Sequence, residues 1–229
     1  MELKNKTILI TGGSTGIGRA TAQACIKKGA HLIVMGMHKP DYPCTFLEAD
    51  VRNETDIASA MKKVKKIDAL VVNAGIAHVV PLEKTTTEQM NSLLDTNVKG
   101  VFWTCNHAIP KLKKGGCIVT LGSIAGLHSY EGFGMYCATK AAVISMTKSY
   151  AIELSDRKIR VNSIAPGIVE TALWKKVGMD MSMLKGLLDA SLVKRPAQPE
   201  EIANAAVFLM QNEFVNGTVL VIDGGELVK

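Results

Sequence analysis

The chain has 229 residues, 47% of them hydrophobic, which suits one large domain with its own core and excludes a disordered polypeptide. Its net charge of +6 and pI near 9.0 raise the question of nucleic acid. The lysines, however, stand in short groups late in helices or in the turns after them (Lys27-Lys28, Lys62-Lys63 with Lys65-Lys66, Lys111 with Lys113-Lys114). Cations there complement the helix dipole, and no recognition motif interleaves them, so no nucleic-acid partner is expected.

In chain order, Thr7 to Ile10 is a short β-prone run, and Gly16 to Lys28 has helical spacing with many small residues. Leu32 to Met35 is a second strand and Thr45 to Ala49 a short third. Glu54 to Lys66 is helical, with Ile57, Met61 and Val64 on one face. Ala69 to Val72 is a buried strand. Glu88 to about Leu112 reads as one long helix, ended by Pro110 and Gly115-Gly116. Cys117 to Leu121 is a strand, Tyr136 to about Leu154 a helix, Arg160 to Ile164 a strand, Pro199 to Gln211 a helix and Val219 to Ile222 a last strand. This alternation predicts a single α/β domain over 1–229, a parallel sheet with helices on both faces. The segment Gly36 to Cys44 breaks the rhythm. Its Pro40 and Pro43 preclude a regular helix, so this crossover is expected to be a loop or a single turn.

No apolar run is long enough to span a bilayer, and the N-terminal residues pass straight into a strand, so neither a membrane segment nor a signal peptide is expected. The five cysteines form no C-x-x-C and are odd in number, which suits reduced thiols and a cytoplasmic protein. No metal-ligand spacing is present, and no metal is expected.

Two constellations carry chemistry. Tyr136 and Lys140 lie four apart on a predicted helix and share a face, 13 residues after Ser123. A free phenol titrates near pH ~10, and a neighbouring cation lowers that value, so the pair is a physical recipe for a general acid/base. Upstream, the first strand runs into Thr11-Gly12-Gly13-Ser14-Thr15-Gly16-Ile17-Gly18. Glycines at 12, 16 and 18 permit a tight turn and close ligand approach, and the following helix offers free N–H groups to a pyrophosphate.

Thr11-Gly-x-x-x-Gly-Ile-Gly18, Asn73-Ala74-Gly75, Asn97, Ser123, Tyr136-x-x-x-Lys140 and Pro166-Gly167 occur in an order and spacing that resembles the short-chain dehydrogenase/reductase family. The resemblance spans about Leu3 to Gly225. It implies a Rossmann-like, doubly wound sheet of about seven parallel strands and an NAD(P) cofactor. It also implies an enzyme that moves hydride between nicotinamide and an alcohol or carbonyl carbon. Tyr136 is then the acid/base, Lys140 lowers its pKa and bonds the nicotinamide ribose, and Ser123 bonds the substrate oxygen. Asn97 holds a water of a proton relay. Cofactor contacts fall on Gly12, Ser14, Thr15, Gly16, Ile17, Gly18, Asp50, Val51, Asn73, Ala74, Gly75, Tyr136, Lys140, Pro166, Gly167, Ile168 and Thr171. For Asp50, an acid at a helix N-terminus is the alternative.

The usual discriminators between NAD and NADP are missing, since the family's acidic position is Gly36 and its basic positions are Met37 and Thr15. His38 and Lys39 are candidates for a 2′-phosphate or simply turn residues. The balance leans to NADP, because no carboxylate repels the phosphate. By the same resemblance, the substrate is held by loops after Ser123 (Leu127, His128, Tyr130, Glu131, Phe133) and from Thr171 to about Arg195. The second, with Trp174, Met179, Met181, Met183, Leu184, Leu187 and Leu188, reads as an adaptable apolar lid and favours a mostly apolar small molecule. A 3-oxoacyl-acyl-carrier-protein reductase is the alternative, although no arginine-rich carrier patch supports that partner. The short proline-bearing crossover also occurs in relatives acting on dihydrodiols of aromatic acids. A non-catalytic dinucleotide sensor is the competing class, opposed by the complete Asn97, Ser123, Tyr136, Lys140 set. A homotetramer or homodimer is expected through the helices near 90–112 and 136–154.

Overall fold

The computed structural model describes residues 1–179 and 185–229. Strands and helices follow in the order β1 (Thr7–Thr11), α1 (Gly16–Lys27), β2 (His31–Gly36), β3 (Thr45–Glu48), α2 (Glu54–Lys62), β4 (Ile67–Val72), α3 (Thr87–Leu94) and α4 (Gly100–Ala108). They continue with β5 (Leu112–Leu121), α5 (Gly134–Glu153), β6 (Arg160–Pro166), α6 (Ala172–Lys176), α7 (Lys185–Ala190), α8 (Pro199–Gln211) and β7 (Val219–Ile222). The strands form one parallel seven-stranded sheet ordered β3-β2-β1-β4-β5-β6-β7.

Alternate residues of each strand serve opposite layers. Leu9, Leu70, Ile118 and Val161 face a core closed by α2, α4 and α5 through Ile57, Met61, Cys105, Val143 and Tyr150. Ile8, Ile10, Val71, Val119 and Ile164 face the other layer, where Ala22 and Cys25 of α1 meet Ile202, Ala206 and Leu209 of α8. The predicted apolar face is buried as expected, through Ile57 and Met61 of α2 and Val64 just beyond it, although α2 ends at Lys62 and not at Lys66. Strand order reverses direction beside β1, between β2 and β4, so the carboxyl ends of β1 and β4 diverge into a crevice, the usual ligand position in such sheets.

Two other local readings change, and a third holds. The expected helix from Glu88 to Leu112 is two α-helices joined by a π-turn at Asp95–Lys99 and followed by a 3₁₀ turn at Ile109–Lys111. Helical hydrophobic spacing persists through a π-turn, so periodicity did not show the extra residue. Strand β5 starts at Leu112, not Cys117: Leu112 pairs with Ile67, then the ladder skips to Cys117 opposite Ala69. The intervening bulge holds Gly115 at φ +80° and lets Lys113 reach the buried Asp68 at 3.0 Å. The short β2–β3 crossover is indeed a loop, fastened to α1 and the glycine turn. The Tyr42 hydroxyl donates to the Gly13 carbonyl at 2.6 Å, and Asp41 pairs with Arg19.

Candidate active site

A cleft of about 470 Å³ opens along the carboxyl ends of the central strands. One end is the glycine turn. Gly12 and Gly16 sit at φ +65° and +52°, in the left-handed region where a Cβ is costly. A Cβ on Gly18 would lie 2.3 Å from the Gly12 carbonyl oxygen, so Gly18 packs α1 against the turn and does not line the cleft. Asn73 braces the same turn: its amide donates to the carbonyls of Thr11 at 3.1 Å and Gly12 at 3.0 Å. In return the Thr11 hydroxyl accepts from the main-chain N–H groups of Asn73 and Ala74 at 3.0 and 3.1 Å. The N-terminus of α1 at Gly16 opens on this end, with Thr15 as an extended N-cap whose side chain makes no cap bond. A close backbone approach, left-handed glycines and a helix N-terminus together fit a dinucleotide pyrophosphate.

Of the sequence candidates, Gly12, Ser14, Thr15, Gly16, Ile17, His38, Asp50, Val51, Asn73, Ala74, Gly75, Ser123, Tyr136, Lys140, Pro166, Gly167, Ile168 and Thr171 all line this one cleft. Asn97 lies behind the wall. Its amide donates to the Ile76 carbonyl at 2.8 Å and the Thr139 hydroxyl at 3.1 Å, and its oxygen accepts from the Ile76 N–H at 2.9 Å. The side chain is thereby committed to tying the π-turn, the strand after β4 and α5 together.

Ser123 caps the 3₁₀ turn Ile124–Gly126, accepting from the Ala125 N–H at 3.1 Å. Its hydroxyl also interacts with the Tyr136 phenol and lowers that group's pKa, but burial outweighs it and pushes Tyr136 up to about 12. Tyr136 shows some surface to the cleft while protein surrounds it closely, so desolvation dominates. Burial thus sets the direction of the Tyr136 shift and outweighs the lowering expected from a neighbouring cation. Lys140 points at the Leu121 carbonyl, 2.8 Å away, with its nitrogen 5.6 Å from the Tyr136 ring centroid. Burial lowers Lys140 itself to about 8.

The other end of the cleft is aromatic. Phe133 meets Tyr136 and Trp174 edge to face at centroid distances of 6.2 and 6.4 Å, and Tyr130 lines the same space. The Trp174 N–H donates to the Val169 carbonyl at 2.8 Å, which holds the indole against the wall. Leu127, His128 and Glu131 stay outside this lining, Met179 packs beside the aromatic cluster, and Leu188 lines a smaller neighbouring cavity. Met181, Met183 and Leu184 lie outside the described residues, as does the Leu187 side chain. Among the lining residues that sequence reasoning missed are three with polar or charged side chains, Thr96, Arg52 and Glu226. Thr96, the neighbour of Asn97, has a buried hydroxyl with no hydrogen-bond partner, and Arg52 grips Asp50 at 2.6 Å and lowers its carboxyl. Glu226 comes from the chain after β7, where no motif announces it. Among the described residues no cluster of His, Cys, Asp and Glu suits a metal ion.

Comparison with known proteins agrees with this geometry. The family model described as enoyl-(acyl carrier protein) reductase matches residues 12–226. Cyclopentanol dehydrogenase of Comamonas sp. is 33% identical over 244 residues, covering 98% of each chain. A 3-oxoacyl-[acyl-carrier-protein] reductase of Thermotoga maritima is 34% identical over 248 residues, covering 100% of each. A solved structure of a tyrosine-to-phenylalanine variant of ElxO with NADPH bound superposes with a TM-score of 0.88 at 28% identity, covering 98% of this chain and 100% of that one. The chain belongs to the short-chain dehydrogenase/reductase family. It is an oxidoreductase of alcohol and carbonyl groups that uses a nicotinamide dinucleotide.

Proposed function

We propose that Tyr136 is the proton-transferring group of this oxidoreductase and that its substrate is a small alcohol or carbonyl compound. The observation that carries the reading is the opening of Ser123, Tyr136 and Lys140 into one cleft with the glycine turn. A bound nicotinamide dinucleotide supplies the hydride acceptor or donor, held by the glycine turn, Asp50-Val51, Asn73 to Gly75 and Pro166 to Thr171. In alcohol oxidation Tyr136 takes the hydroxyl proton as hydride leaves carbon, and in carbonyl reduction it returns a proton to the oxygen. Ser123 donates to that oxygen where charge changes, and Lys140 supplies positive charge that favours the phenolate. Asn97 holds a water of the proton relay to Lys140: the Asn97 oxygen and the Lys140 nitrogen flank Gly75, whose Cβ, were there one, would lie 3.3 and 3.6 Å from them.

Our reading favours NADP over NAD. Gly36, Met37 and His38 line the end of β2 without a carboxylate, Asp50 is held by Arg52, and Asp41 by Arg19. Five free cysteines support a reducing, cytoplasmic setting, and no described helix is long and apolar enough to cross a membrane. The 3-oxoacyl-carrier reductase among the relatives keeps that activity as the second reading. The test is fluorescence titration with NADH and NADPH, followed by turnover of an alcohol and ketone panel and of a 3-oxoacyl carrier protein. Turnover of small alcohols by wild type and not by Tyr136→Phe supports the proposal. Turnover of the acyl carrier substrate alone overturns its substrate class.

A further inference from the structure

Among the described residues lining the cleft, the carboxylates are Asp50 and Glu226, and they serve different ends. Asp50 is neutralised by Arg52 at the glycine-turn end. Glu226 has no basic side chain in ion-pair contact among the described residues. Its neighbours are the Tyr130 hydroxyl, Asp223 and, as a weaker influence, His128.

The chain is built to bring this carboxyl back to the cleft. After β7, Gly224 and Gly225 adopt φ +65° and +82°, a left-handed pair that reverses the direction of the chain. Asp223 secures the reversal by accepting from the N–H groups of Gly225 at 2.8 Å and Leu227 at 2.9 Å. The Ser191 hydroxyl and the Val193 N–H both donate to the Gly224 carbonyl, at 3.0 and 3.1 Å. Structural duty therefore falls on Asp223 and Gly224, which leaves Glu226 free of it. Glu226 and Ile168 line both the main cleft and a second cavity of about 200 Å³, so the residue stands in the partition between the two. Tyr130, Phe133 and Trp174 line the same cleft and pack in one aromatic cluster, and Tyr130 is the one that meets Glu226.

A carboxyl that has only the Tyr130 hydroxyl as a side-chain hydrogen-bond partner and no cation in ion-pair contact among the described residues accepts further hydrogen bonds and repels anions. We propose that Glu226, with Tyr130 beside it, is a specificity-determining residue that selects substrates carrying a second hydroxyl remote from the carbon being oxidised. The inference rests on the alcohol/carbonyl reading above and refines it, replacing a mostly apolar substrate by a diol or polyol with an apolar frame. The ring frame packs on Phe133 and Trp174 while the distal hydroxyl donates to Glu226. Substrates with a carboxylate at that distal position are disfavoured by like charge.

The test compares cyclohexanol with 1,2-, 1,3- and 1,4-cyclohexanediols and with 4-hydroxycyclohexanecarboxylate, in wild type, Glu226→Gln and Glu226→Leu. The readout is the ratio of kcat/KM for each diol to that for cyclohexanol within one enzyme, so a change in folded fraction cancels. A hydrogen bond to a charged acceptor predicts a ratio of about tenfold or more for at least one diol in wild type. The ratio should shrink in Glu226→Gln and approach one in Glu226→Leu, while the hydroxycarboxylate gains in both. A wild-type ratio at or below one for every diol, or a ratio that survives Glu226→Leu, overturns the assignment of Glu226 and leaves the oxidoreductase reading standing. Absence of cofactor-dependent turnover for every alcohol, in wild type as well, overturns that underlying reading together with this one.

Discussion

Lys140 gives its hydrogen bond to the Leu121 main-chain carbonyl, 2.8 Å away, and not to Tyr136, its helical neighbour. The ammonium is thus fixed by the end of β5, and the charge it offers the cleft comes at a folding cost. Burial lowers Lys140 to about 8, below its unfolded value near ~10.4. The unfolded chain therefore holds more protons between those values. The cost is present in full below about pH 8 and fades as pH rises toward the unfolded value. Lys140→Met removes it. The melting temperature of wild type relative to Lys140→Met should rise by a few degrees between about pH 7 and 9.5, followed by circular dichroism. A constant difference across that range would show that the lysine carries no burial cost. Turnover by the variant should be lost at every pH.

Tyr136→Phe should cut turnover by at least ~100-fold while cofactor titration remains near wild type. The phenol stands at about 12 before ligands bind, so alcohol oxidation, which consumes the phenolate, should accelerate with pH through the neutral and mildly alkaline range. Carbonyl reduction uses the phenol and should stay level or fall. Parallel pH profiles in the two directions would remove Tyr136 from the proton path.

Gly126 abuts the backbone of α5 where Lys140 begins its turn. A Cβ there would lie 2.6 Å from the Lys140 carbonyl carbon and 2.8 Å from the Ala141 nitrogen. Gly126→Ala must push α5, and with it Tyr136 and Lys140, outward. Overpacking of this kind costs about 1–3 kcal/mol, visible in urea titration. A kcat loss of roughly tenfold or more is expected, because reaction geometry is sensitive to such displacements. Wild-type kcat in this variant would mean that the helix yields without moving Tyr136.

The end of β2 has room for a side chain. A Cβ on Gly36 would meet nothing closer than the Gly12 nitrogen at 3.8 Å. Gly36→Asp installs the carboxylate that favours a free ribose 2′-hydroxyl and repels a 2′-phosphate. The ratio of dissociation constants for NADPH and NADH should move at least about tenfold toward NADH. An unmoved ratio would indicate that the adenosine ribose binds elsewhere.

Phe102 on α4 is 46% exposed and Ile152 on α5 is 75% exposed, large apolar groups on the two helices expected to pair protomers. Sedimentation should return a dimer or tetramer for wild type. Phe102→Glu combined with Ile152→Glu should shift it toward monomer. A wild-type monomer would refute that interface.

Much of this architecture could be read from residue pattern alone. Strand runs such as Ile67–Val72 are buried throughout, and the spacing of Ile57, Met61 and Val64 reports a real core face. The glycine turn was legible because left-handed backbone at Gly12 and Gly16 needs that residue type. The pairing of Tyr136 with Lys140 was legible as geometry, but its electrostatics were not. Helical spacing carries no information on burial, and burial decides both pKa shifts. Glu226 was illegible for a different reason, since it reaches the cleft through a chain reversal set by Gly224 and Gly225, far in sequence from the other lining residues.

The π-turn at Asp95–Lys99 makes residue count itself a functional variable. It holds one more residue per turn than the helices on either side, and Asn97 rides within it to reach Ile76 and Thr139. Deleting a neighbour of Asn97 there would let α3 and α4 fuse into one regular helix, with the flanking faces nearly in place but the bulged backbone around Asn97 withdrawn. Asn97 would swing away from its partners even though no substitution had touched it. In this stretch, insertions and deletions are therefore the severe mutations, and conservative replacements of neighbouring side chains the mild ones.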